Sequence, residues 1–265
     1  MMNVTLRNFF RLLRAGAFGQ QEQLEPLSAW KWKQLYRVAQ MHGVTTYVDK
    51  GFERLQGQFF LQLPADLRDG KKTKELTIAD EERKLTNPLL KKELKRIQSE
   101  EQADGGNSPT LELLNRLTSI TTTTLSVGVP LRQLVELCLF LQQEGKNIDK
   151  QKLSTWTEQL HMQRMNQLTG ALLVRLFHFA ASDIPFMDAQ NEVSTDDVVD
   201  DLFKEQAALS DKWSFQQGED IFVHSDSSTM LRHVRHSARY FRYYPTESVT
   251  HFFSSFLRSL QNIEE

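Results

Sequence analysis

Cysteine is nearly absent from this sequence of 265 residues. The single cysteine, Cys138, lies in the apolar run "LVELCLFL", where a thiol usually behaves as a small buried hydrophobic group. One cysteine cannot form a disulfide within the chain, which favours a reducing compartment. Because no histidine partner is evident for Cys138 in the sequence, we do not expect a catalytic thiol.

Long apolar runs and a strong net charge are also missing. No stretch approaches ~20 uncharged apolar residues, so we expect no membrane-spanning helix. Arg7, Arg11 and Arg14 interrupt the apolar N-terminus, which therefore lacks the continuous apolar region of a signal peptide. The net charge is -2 and the pI about 6.4, so any attraction to nucleic acid or anionic lipid must be local. We expect a cytoplasmic protein.

The alternation of apolar and polar residues that marks a half-buried strand is not sustained anywhere. Apolar residues recur instead at three- and four-residue spacing, first at Leu6, Phe9, Phe10 and Leu13. We predict a mainly α protein, an irregular bundle of about nine to eleven helices with little or no β-structure. The segment 221–223, Ile-Phe-Val, is the one candidate for a short extended piece.

Several residues mark where helices begin and end. The predicted helix-start residues are Ser28, Asn87 with Pro88, Pro130 and Asp149. Gly16 and Gly19 predict the end of the first helix, and a strongly apolar helix is expected over 163–181. The four threonines of 121–124 predict a weakened helix, because β-branched side chains lose rotamer freedom there.

Composition divides the chain into four expected parts. A charged stretch with few apolar anchors begins near residue 65, and the sequence "ADGGNSP" ends it as a flexible break. The parts are an N-terminal helical segment 1–64, a charged connection with one helix 65–109, a central helical bundle 110–186, and 187–265 with an acidic helix and a basic, aromatic helical pair.

Two flanking segments carry a resemblance to a known family. Residues 12–52 and 127–149, the latter containing "GVPLRQLVELCLFL", resemble the nucleotidyltransferase-like proteins found among Bacteroidetes. The resemblance implies, between such flanks, a mixed α/β core with a Gly-rich turn and a Gly-Asp-x-Asp strand that holds divalent metal. The sequence contains no Asp-x-Asp, so we interpret the catalytic core as deleted and carry over no catalytic residue, metal ligand or cofactor.

A basic and aromatic cluster near the C-terminus is the sharpest local feature. Its candidate anion-binding residues are Arg232, Arg235, Arg239, Arg242, Tyr240 and Tyr243. They could bind the phosphates of nucleic acid, a nucleotide or lipid, with the aromatic rings stacking or lying at an interface. Alternatively, the rings enter the core and the arginines pair with the acidic stretch 192–201, an interpretation that the near-zero net charge favours. The pair His233 and His236 lacks a third ligand within sequence reach, so we predict no metal site.

These observations predict a non-catalytic relic of an enzyme: a nucleotidyltransferase-related helical protein that acts as an interaction or assembly module. Its expected partner is another protein, and no small-molecule substrate is identified. Two alternatives stay open, a nucleotidyltransferase-like enzyme or nucleotide binder with a displaced site, and a binding module for nucleic acid or an anionic membrane. Arginines paired with the carboxylates of 196–201 would favour the structural interpretation of the basic cluster.

Overall fold

The computed structural model describes residues 3–57, 85–103, 105–106, 108–188, 190–191, 193–199, 202 and 240–250. Within these ranges the protein is helical and has no strand, which confirms the predicted fold class. Eight α-helices and two 3-10 helices have both ends inside the described ranges, and residues 196–199 and 245–250 are also helical. The α-helices are α1 (Val4–Phe18), α2 (Ala29–Met41), α3 (Thr45–Leu55), α4 (Pro88–Ala103), α5 (Pro109–Val127), α6 (Leu131–Glu144), α7 (Lys150–Gln159) and α8 (Gln163–Phe177). Short 3-10 helices follow at Gly145–Asn147 and Ala181–Asp183. None of the helices described has the length and apolar character needed to cross a membrane.

The first three helices pack together through a close glycine contact. α1 lies against α2 and α3, and Gly16 of α1 faces Gly51 of α3. A Cβ on Gly16 would lie 1.8 Å from the Tyr47 carbonyl oxygen, so only glycine permits this approach. The expectation that Gly16 ends the first helix is therefore wrong: Gly16 is inside α1, and Gly19, with φ 70°, ends it.

The predicted helix starts are present. The side chains of Ser28 and Asp149 accept hydrogen bonds from the backbone N–H groups three residues on, and Asn87 accepts one from Leu89 N at 3.0 Å. Each side chain satisfies an N–H that has no partner within its helix. Pro130 differs slightly, since it directly precedes α6 instead of lying in its first turn.

The threonine run of α5 does not interrupt the helix. Thr122 Oγ1 donates to Thr118 O at 3.0 Å, and Thr124 Oγ1 donates to Ile120 O at 2.7 Å. These bonds to carbonyls four residues earlier satisfy hydroxyls that are buried where α5 packs against α6, α7 and α8. Tertiary burial thus outweighs the weak helix propensity of the β-branched residues.

Helix α8 is shorter than predicted, because His178 takes a left-handed conformation with φ 56° and ends it at Phe177. The N-terminal region supplies donors to its last carbonyls. Arg14, which pairs with Glu22 at 2.6 Å, donates to Leu176 O at 3.0 Å, and Gln20 donates to Phe177 O at 3.2 Å. A cation placed at a helix C-terminus also complements the helix dipole.

The described C-terminal segment, residues 240–250, is tied to two earlier elements. Glu247, only 1% exposed, accepts hydrogen bonds from the backbone N–H groups of Thr86 and Asn87, the latter at 3.1 Å. The hydroxyl of buried Tyr244 donates to Leu160 O at 2.7 Å. Residues 245–250 are helical, in line with the predicted last helix, whereas the candidate extended piece 221–223 lies outside the described residues.

Candidate ligand-binding cavity

The predicted anion-binding cluster is only partly described. Arg232, Arg235 and Arg239 lie outside the described residues, so anion binding by the full set stays a prediction. Tyr240 and Tyr243 are 2% and 6% exposed, and both rings are buried in the hydrophobic core. In this conformation neither ring presents a face to a base or a membrane surface.

Arg242 is exposed and directed toward the acidic segment. Its guanidinium lies over the Tyr243 ring, 4.7 Å from the centroid, and Nη2 donates to Tyr243 Oη at 2.6 Å. The same nitrogen lies 3.7 Å from Asp197 Oδ2. Part of the Arg242 charge is therefore already compensated within the chain.

Arg175 of α8 pairs with the same acidic segment and was not singled out by sequence. Its Nη2 lies 2.6 Å from Asp196 Oδ1, and Nη1 donates to Thr195 Oγ1 at 2.7 Å. Arg175 and Arg242 thus bind two neighbouring carboxylates of the acidic stretch. This is the arrangement that favours the structural interpretation for the described part of the basic cluster.

Beside this ion-pair region lies a cavity of about 830 Å³. Its volume falls within the range of ordinary ligand sites. Four pieces of chain form it: the second half of α7, the first turn of α8, the described residues of the loop 185–194 (185–188, 190–191 and 193–194), and residues 242–243. The lining residues are Leu153, Ser154, Thr157, Glu158, Gln163, Arg164, Asn166, Gln167, Pro185, Phe186, Met187, Asp188, Asn191, Val193, Ser194, Arg242 and Tyr243.

The loop that walls the cavity is fixed to α8. The Gln167 amide nitrogen donates to the carbonyls of Asp188 and Asn191, each at 2.6 Å, and its oxygen accepts from Asp188 N at 2.9 Å. One turn further along α8, Gly170 leaves the space that Met187 fills, since a Cβ there would lie 3.0 Å from Met187 Cβ. The hydrogen bonds and the close packing together hold the wall in a defined position.

The N-terminus of α8 opens into the cavity region without a cap. Met162 supplies no side-chain acceptor, and the backbone N–H groups of residues 163–165 have no hydrogen-bond partner among the described residues. The exposed Arg164 lies in this turn and donates to Arg242 O at 3.4 Å. No carboxylate of the described residues pairs with Arg164. Free N–H groups and the helix dipole favour negative charge at a helix N-terminus, and the guanidinium of Arg164 adds to this effect.

Asn166 is the least expected member of the cavity wall. It is 1% exposed, and neither its amide nitrogen nor its amide oxygen has a partner among the described residues. Buried side-chain amides are normally satisfied, because an unpaired donor or acceptor pays its full desolvation cost. The sequence alone could have indicated that Asn166 is buried, because this polar residue lies on an apolar helix face, four residues before Gly170 and seven before Leu173, which are both buried.

Neither a reactive thiol nor a metal-binding cluster is found among the residues the structure describes. Burial raises the pKa of the Cys138 thiol, which keeps it protonated and unreactive. Across the described ranges there is no group of three histidine, cysteine, aspartate or glutamate side chains placed to hold a metal ion. His233 and His236 lie outside those ranges.

In comparisons with known proteins, no protein-family model, no curated protein and no solved structure matches this chain. The resemblance to nucleotidyltransferase-like proteins accordingly stays an expectation from sequence.

Proposed function

We propose that this chain is a non-catalytic interaction module that holds a segment of another protein in the cavity between α7, α8 and the loop 185–194. The observation that carries the proposal is the cavity itself, which combines a fixed wall with unpaired polar groups. Hydrogen bonds between Gln167 and the backbone of Asp188 hold the loop in place, so the cavity is formed before any ligand binds. A preformed site loses less conformational entropy on binding than one that must be ordered.

The enzyme alternative rests on the family resemblance alone. Nucleotidyl transfer needs two or three carboxylates close enough to hold Mg²⁺ against a triphosphate. The sequence has no Asp-x-Asp, and the acidic residues Asp196 and Asp197 are engaged by Arg175 and Arg242. Mg²⁺-dependent turnover of any nucleoside triphosphate by the purified protein would overturn the proposal.

The alternative of nucleic-acid or membrane binding needs arginines and aromatic rings that face solvent together. In the described part of the cluster, Tyr240 and Tyr243 are buried and Arg242 lies near Asp197. A salt series with single-stranded nucleic acid and with anionic vesicles tests this alternative directly, since phosphate contacts weaken steeply as salt rises. Tight binding at low salt that is lost in an Arg235→Ala, Arg239→Ala variant would favour it over the cavity.

Site-specific photo-crosslinking tests the proposal. A benzophenone side chain is placed at Ser154, an exposed residue of the cavity wall, and separately at Arg37, an exposed residue of α2 outside the cavity. In the native cell we expect one discrete protein adduct from position 154 and none from position 37. Gln167→Ala, which releases the wall, should remove the adduct while the helical circular dichroism is kept. No adduct at position 154, or the same adducts at both positions, would refute the proposal.

A further inference from the structure

A second cavity, of about 520 Å³, lies at the other end of α8 from the first one. It is formed where α1, α6 and α8 end and where α7 begins. Its lining residues belong to the segments 18–20, 141–146, 148–150 and 178–183. The volume falls within the range of small-molecule sites, so this cavity is large enough for a ligand of its own.

The walls of the second cavity are held by contacts outside its lining. The Gln20 amide nitrogen donates to Phe177 O at 3.2 Å, and the Phe18 ring meets the Phe177 ring edge to face, with centroids 5.8 Å apart. On the opposite wall, the backbone N–H of Asp149 donates to Thr110 Oγ1 at 3.0 Å and fixes the start of α7. The cavity is therefore formed before any ligand binds, which lowers the entropy cost of binding.

Three aromatic side chains line the second cavity: Phe18, Phe179 and His178. Both phenylalanines are only partly buried and His178 is exposed, so all three residues keep accessible surface. Partial burial of the imidazole, and then the charge of Arg14, lower the pKa of His178 below its ordinary value, so this ring is neutral at pH 7. Aromatic rings attract one another beyond the area that they bury. The lining therefore favours a ligand with an aromatic body.

Two exposed lysines, Lys146 and Lys150, line the same cavity. Neither ammonium group forms an ion pair within the described part of the chain. The carboxylates nearest to them in sequence accept other hydrogen bonds: Glu144 from the Asn147 amide nitrogen at 2.8 Å, and Asp149 from the backbone N–H three residues on at 2.9 Å. The two positive charges are therefore available to an anionic ligand.

The charge of the lining indicates which anion fits. The lining contains one carboxylate, Asp183, which accepts a hydrogen bond from Ser182 Oγ at 3.1 Å. Two lysines and one aspartate give the lining a net charge of +1. A ligand carboxylate leaves the occupied cavity neutral, whereas a doubly charged phosphate leaves one negative charge unpaired beside the aromatic wall, which is costly.

We propose that the second cavity binds a small aromatic carboxylate, whose ring system lies against Phe18 and Phe179 and whose carboxylate is held by Lys146 and Lys150. This site is distinct from the cavity proposed to hold a protein segment. The two cavities lie at opposite ends of α8, a helix of 15 residues, and are therefore about 20 Å apart. The inference goes beyond the proposed function, because it adds a small-molecule site.

Calorimetric titration of the full chain at pH 7 tests the proposal with four probes: naphthoate, the uncharged naphthamide, naphthyl phosphate and acetate. Naphthoate should bind most tightly, and acetate, which lacks the aromatic body, should give no measurable binding. An exposed ion pair changes an affinity about two- to fivefold, so two lysines should make naphthamide about tenfold weaker than naphthoate. With ¹⁵N-labelled protein, naphthoate should shift the backbone amide signals of residues 178–183.

Variants separate the charge from the aromatic surface. Lys146→Gln combined with Lys150→Gln should lower the affinity for naphthoate about tenfold and leave naphthamide unchanged. The matched control is Lys91→Gln with Lys92→Gln, which removes the same charge from exposed positions of α4 and should change neither affinity. Phe179→Leu should weaken naphthoate and naphthamide alike, by about threefold, because it removes a ring that both ligands contact.

Four results would overturn the inference: no binding of naphthoate, equal affinity for naphthoate and naphthamide, tighter binding of naphthyl phosphate than of naphthoate, or the same loss of affinity in the α4 control as in the cavity variant. The exposed lysine positions keep the test valid even if Phe179→Leu does not fold, since circular dichroism checks each variant for its helix content.

Discussion

The contact between Gly16 and Gly51 predicts a large and position-specific penalty for the smallest change, glycine to alanine. The new Cβ at position 16 would lie 1.8 Å from the Tyr47 carbonyl oxygen and 2.7 Å from Gly51 N. Both atoms belong to backbone, so no side chain can turn away. The contact must open from 1.8 Å to the 3.4 Å or more of an ordinary contact, and this separates α1 from α3.

The magnitude follows from two opposing effects. Forcing an extra carbon into a packed interface costs about 3 kcal/mol at the upper end of the usual range. Alanine inside a helix recovers about 1 kcal/mol of helix propensity relative to glycine. We therefore expect Gly16→Ala to lower the free energy of unfolding by about 2 kcal/mol, and Gly51→Ala to do the same, since its Cβ would lie 2.0 Å from Leu12 O.

Urea denaturation followed by circular dichroism measures both changes. The matched control is Gly145→Ala, because Gly145 has φ -56° and no atom within 4 Å of an added Cβ. Removing the conformational freedom of glycine there should be neutral or stabilise by about 0.5 kcal/mol. Gly16→Ala and Gly145→Ala with the same midpoint and slope would refute the helix-contact reasoning.

Three further changes probe buried polar groups, each by denaturation of the purified protein. Glu247→Gln should lower the free energy of unfolding by about 2 kcal/mol, since it weakens the acceptor for the N–H of Asn87; an unchanged midpoint would contradict the cap. The carboxylate of Glu101 accepts hydrogen bonds from Lys152 and Ser108, which lower its pKa in the folded protein. The stabilisation that the ionised carboxylate provides is therefore complete above pH 4.5 and is lost as the pH falls through the lower folded pKa. Glu101→Gln should reduce this loss of stability in acid. Thr121→Val removes a buried hydroxyl without a partner among the described residues and should stabilise by about 1 kcal/mol, and a loss of stability would show that the hydroxyl is satisfied.

Local chemistry in the sequence was enough to predict the helical class and most helix starts. Ser28 and Asp149 cap helices because their side chains bond to backbone atoms three residues away, a distance that sequence order fixes. The end of α8 could not be predicted because His178 adopts a left-handed conformation with φ 56°, which is uncommon for residues other than glycine. The position of Gly16 inside α1 could not be predicted because the need for glycine there comes from a distant contact, with Gly51 of α3, 35 residues away in the sequence.

The cavity could not be predicted from the sequence, because its lining residues come from four separate segments of the chain. Gln167 fixes the loop through carbonyls 21 and 24 residues away, and backbone carbonyls carry no sequence signature. The pairing of Arg242 with the acidic stretch was one of two interpretations that composition left open. For the described part of the cluster, the carboxylate that each arginine meets depends on where the chain returns: Arg242 lies near Asp197, and Arg175 pairs with Asp196.

The cap that Glu247 places on the start of α4 has a consequence for synthesis on the ribosome. The chain emerges in order, so α1 and α3, close in sequence, can meet early. The N–H of Asn87 donates to the carboxylate of Glu247, which is synthesised 160 residues later. During translation the N–H groups of Thr86 and Asn87, directly before α4, therefore lack this acceptor until the C-terminal segment arrives. A nascent chain stalled before residue 247 should be cleaved by protease near residue 87, whereas the finished protein should resist.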